Sequence, residues 1–130
     1  MNLELHDGRT FDDITDTTIE TAFGSLSDPG DFIILRDRAL GEVRAAGPNK
    51  GQFLLQCDLP ASPGMFNGQL ESISIDKAID VFKKFRTGDT SWRCSFTDLN
   101  APLSRRTMIV LALAATLFVA LLLLAWLRTA

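Results

Sequence analysis

Apolar positions recur along the chain with three distinct spacings. Ile19, Ala22, Phe23 and Leu26 stand at i, i+3, i+4 and i+7, which predicts a short amphipathic helix. Thr17-Thr18-Ile19-Glu20 supplies a capping box at its start, and Ser27-Asp28-Pro29-Gly30 ends it. The same spacing returns at Ile75, Ala78, Ile79, Phe82 and Phe85. Ser74 caps this second helix, Lys83, Lys84 and Arg86 suit its C-terminal end, and Gly88 follows as the residue after it.

The second spacing is that of strands. Leu3-Glu4-Leu5 and Arg9-Thr10-Phe11 flank Asp7-Gly8, which predicts a hairpin with a type I′ turn. Further strands are expected over 31–36, 41–46, 52–58, 69–73 and 92–96. Gly47 to Gly51 forms a turn, and 59–68 reads as a loop rich in Pro, Gly and Ser. These elements predict an α+β domain over 1–96: a small antiparallel sheet of five or six strands with two helices.

The third pattern has no period. Residues 107–127 carry no charge, Pro or Gly. At ~1.5 Å per residue the run is long enough to cross a bilayer, so it predicts one C-terminal transmembrane helix after a linker over 97–106, with 128–130 as a short tail. Arg105 and Arg106 before the run, with Trp126 and Arg128 at its far end, are expected at the membrane interfaces. Two arginines against one, and no export signal upstream, predict a cytoplasmic N-terminal domain on the inner membrane. Ala112, Thr116 and Ala120 recur every four residues and are expected to let another helix approach closely.

Charge narrows the range of partners. All 16 acidic residues lie at or before Asp98, and the first 104 residues hold 10 basic ones, giving 10 − 16 = −6. Such a balance disfavours nucleic acid and suits a basic protein partner. The expected acidic face comprises Asp7, Asp12, Asp13, Asp16 and Glu20.

No residue set predicts catalysis, a cofactor or a metal. His6, the lone histidine, is expected to sit exposed beside the hairpin turn. The Asp12-Asp13 and Asp16 group lacks the spacing of a calcium loop. Gly-Pro-Asn-Lys-Gly lacks that of a phosphate loop. Cys57 and Cys94 are expected as reduced thiols packed in strands.

Five segments carry a resemblance to a known family. They are Asp-Gly-Arg-Thr-Phe (7–11), Thr-Ile-Glu-Thr-Ala-Phe (18–23), Asp-Phe-Ile-Ile-Leu (31–35), Gly-Gln-Phe-Leu-Leu-Gln (51–56) and the helix running into Gly-Asp and tryptophan over 75–92. In their order, residues 3–96 resemble the type-1 immunity proteins of bacterial polymorphic toxin systems. The resemblance implies a small non-enzymatic domain that binds one protein partner, a toxin-like protein. The apolar tail departs from that family. Two functional expectations follow: a tail-anchored binding module, or a single-span accessory subunit that contacts other subunits of a membrane complex.

Overall fold

A computed structural model describes residues 1–101 and 105–129, with 105, 123, 124 and 127–129 described by backbone alone. Residues 1–100 and 101–130 form two separate compact units.

The first unit is an α+β fold. Its strands are β1 (Asn2–Leu5), β2 (Thr10–Phe11), β3 (Phe32–Asp37), β4 (Gly41–Asn49), β5 (Gln52–Pro60), β6 (Met65–Ile73) and β7 (Thr97–Asp98). They form one antiparallel sheet of seven strands in the order β2-β1-β3-β4-β5-β6-β7. Helix α1 (Asp16–Gly24) links β2 to β3. Helix α2 (Ile75–Thr87) and a 3-10 helix (Ser91–Ser95) link β6 to β7.

Strand alternation places one set of side chains under these helices. Leu3, Leu5, Ile33, Leu35, Val43, Ala45, Leu55 and Cys57 are buried against Ile19, Ala22 and Phe23 of α1 and Ala78, Val81, Phe82 and Phe85 of α2. Phe23 is the hinge of this packing, with edge-on ring contacts to Phe53 at 5.6 Å and Phe82 at 5.0 Å. The helix stripes are therefore as expected, except that Val81 joins the α2 stripe and Ile75 is exposed.

Several boundaries differ for local reasons. The α1 cap is Thr15, whose hydroxyl accepts the Thr18 amide while Thr18 Oγ1 accepts the Thr15 amide, so the helix starts earlier than Thr17-Thr18 suggested. The first hairpin is not type I′: only Gly8 has positive φ, and Gly8 N donates to Leu5 O at 2.9 Å. The type I′ pair is Lys50-Gly51, at φ 52° and 78°. The expected loop over 59–68 is mostly strand, because β5 and β6 stay paired from Leu55–Leu70 to Pro60–Met65. The expected strand over 92–96 is the 3-10 helix. There Asp89 accepts the Ser91 amide and Trp92 Nε1 donates to the Asp89 carbonyl, local bonds that compete with a ladder. Cys57 is buried in β5 as expected, but Cys94 lies exposed on the 3-10 helix.

The second unit contains α3 (Arg105–Thr129). Here the expectation of a transmembrane helix is corrected: among the described residues no helix is long and apolar enough to cross a membrane. The inner-membrane localisation and single-pass topology rested on that span and are corrected with it. The lipid bilayer as partner, the single-span accessory subunit and the interface roles of Arg105, Arg106, Trp126 and Arg128 presupposed the same span. The side chains of Arg105 and Arg128 and all of Ala130 lie outside the described residues.

Candidate protein-binding face of the sheet

The alternation that sends Leu35 and Val43 under the helices sends Arg36, Glu42 and Arg44 to the opposite side. Neither α1 nor α2 contributes to that side, and it divides into two halves.

One half is ionic. Register sets Arg36 opposite Glu42, Glu42 opposite Asp58 and Asp58 opposite Asn67, across four adjacent strands. Arg36 donates to Glu4 and Glu42, and Arg44 donates to Glu42 and Asp58. Asn67 donates its side-chain amide to Asp58, and Asn100 donates to Asn67. The hydrogen bonds to Glu4, then Glu42, hold the Arg36 guanidinium still more firmly protonated. Pairs this exposed contribute at most about 1 kcal/mol each. Their stronger effect is to fix side-chain directions before any partner arrives.

The other half is apolar. Phe32 lies opposite Ala46, and Ala46 opposite Leu54, with Ile34 beside them. These residues and the stems of Arg44 and Gln56 line an open depression of about 260 Å³. Ala46 and Leu54 also floor a second depression of about 470 Å³ that continues towards Pro29, Lys50 and Glu71. Phe32 remains 37% exposed.

His6 sits at the rim of this half. Its Nε2 lies 3.4 Å from Asp31 Oδ1, and its ring meets Phe32 edge-on. Asp31 Oδ2 accepts the amides of Ser27 at 2.8 Å and Asp28 at 3.0 Å. Those two bonds, with His6 nearby, hold the Asp31 carboxyl below the ordinary aspartate range. The pair therefore ties the end of β1 to the loop before β3.

The expected acidic face is partly engaged within the fold. Asp16 pairs with Arg86 at 2.7 Å and Glu20 with Lys83, bridging α1 to α2. Asp7 pairs with Arg9, and Asp12 accepts from Asn2. The Asp13 carbonyl accepts from Thr18. In the second unit Ala112, Thr116 and Ala120 are exposed, and Thr116 Oγ1 donates to the Ala112 carbonyl at 2.9 Å, inside its own helix. Among the described residues no group of three or more His, Cys, Asp and Glu is placed to hold a metal ion.

Sequence reasoning missed the sheet face. Its signal lay in Phe32-Ile33-Ile34-Leu35, which is apolar at both parities where one buried face needs only one. No family model matches the chain, and no curated protein or solved structure is significantly similar to it.

Proposed function

We propose that the chain is a non-catalytic binding domain that holds a protein partner against the face of its sheet opposite α1 and α2. The observation behind this reading is the divided face: an apolar patch at Phe32, Ile34, Ala46 and Leu54 beside a row of charges already fixed by their own neighbours. An apolar centre supplies the burial that drives association, and a pre-ordered polar margin gives orientation with little loss of side-chain freedom. Shallow, open depressions suit a protein surface better than a small metabolite, which needs to be enclosed. The resemblance over residues 3–96 points to a toxin-like protein as the partner class.

The test compares full-length variants. Ile34→Glu with Leu54→Glu places charge on the apolar patch, whereas Lys77→Glu alters exposed α2 on the other side. A protein cross-linked to the parent chain through a photoreactive residue at Gln56 should be lost from the face variant and retained by Lys77→Glu. Retention by a folded face variant, or loss by Lys77→Glu alone, overturns the reading.

A further inference from the structure

We draw no further inference here: the strongest candidate, the exposed apolar surface of α3 with its Ala112, Thr116 and Ala120 row, carries nothing because nothing in the structure shows what covers it.

Discussion

Replacing Gly68 by alanine tests the packing between β5 and β6 directly. Gly68 lies opposite Cys57, and a Cβ built on it would stand 2.8 Å from Cys57 Sγ and 2.6 Å from Phe66 Cε1. Both distances are well inside van der Waals contact. Cys57 is 1% exposed and has no free direction, while Phe66 is partly buried with the Arg93 guanidinium over its ring at 4.8 Å. Overpacking of this kind costs about 1–3 kcal/mol. Removing a glycine from a strand returns about 0.5–1 kcal/mol through the unfolded chain. The two ranges leave a net loss of about 0–2.5 kcal/mol, each kcal/mol lowering Tm by about 4–8 °C for a unit of this size. Urea unfolding followed by Trp92 fluorescence in a Trp126→Phe background reads the change. Cys57→Ala on top of Gly68→Ala should recover part of the loss, because the two side chains compete for one space. A Gly68→Ala protein more stable than its parent, or strictly additive effects in the double variant, would refute the steric argument.

Gly88 offers the contrasting case: a Cβ there meets nothing within 4 Å, but φ is +76°. Gly88→Ala should cost about 1 kcal/mol by backbone strain alone, measured in the same unfolding assay, and no second-site change should relieve it. A thiol reagent should modify exposed Cys94 at once and Cys57 only on unfolding, since burial pushes the Cys57 thiol up to about 11; two fast thiols in the native protein would contradict the β5 assignment. Asp31, whose carboxyl is held low first by the Ser27 amide, contributes stability above the unfolded aspartate value of about 3.9, and that contribution is lost as pH falls through its folded value. Asp31→Asn should therefore lower Tm at pH 6 and flatten the decline of Tm below pH 4, leaving the share due to Asp7, Asp37 and Asp89, whose carboxyls are lowered likewise.

What the sequence revealed follows from how local each cause is. The α2 helix is legible because Ser74, the apolar stripe and Gly88 all lie within one short stretch. The α1 stripe is legible too, but its cap lies two residues ahead of Thr17, at Thr15, which takes the extended conformation. The first half of β6 was hidden: Met65 to Gly68 has loop-like composition, and only pairing with a strand already placed makes it extended. Gly68 reads as a turn residue in isolation and as a spacing device opposite Cys57. The candidate face was hidden for the same reason, since Phe32, Ala46 and Leu54 meet only once the register of three strands is set. The apolar run at the end of the chain showed the opposite risk: hydropathy alone suggested a span that the described helix does not support.

The sheet ends on both sides in strands of only two residues, β2 and β7. Long, flat borders template the addition of further strands from other molecules, and these two are too short to do so over any distance. On one border that protection is partial, because β7 pairs only with Gly68 and Gln69 of the nine-residue β6. Any further strand would have to add along the rest of β6, beside the wide apolar and charged plane.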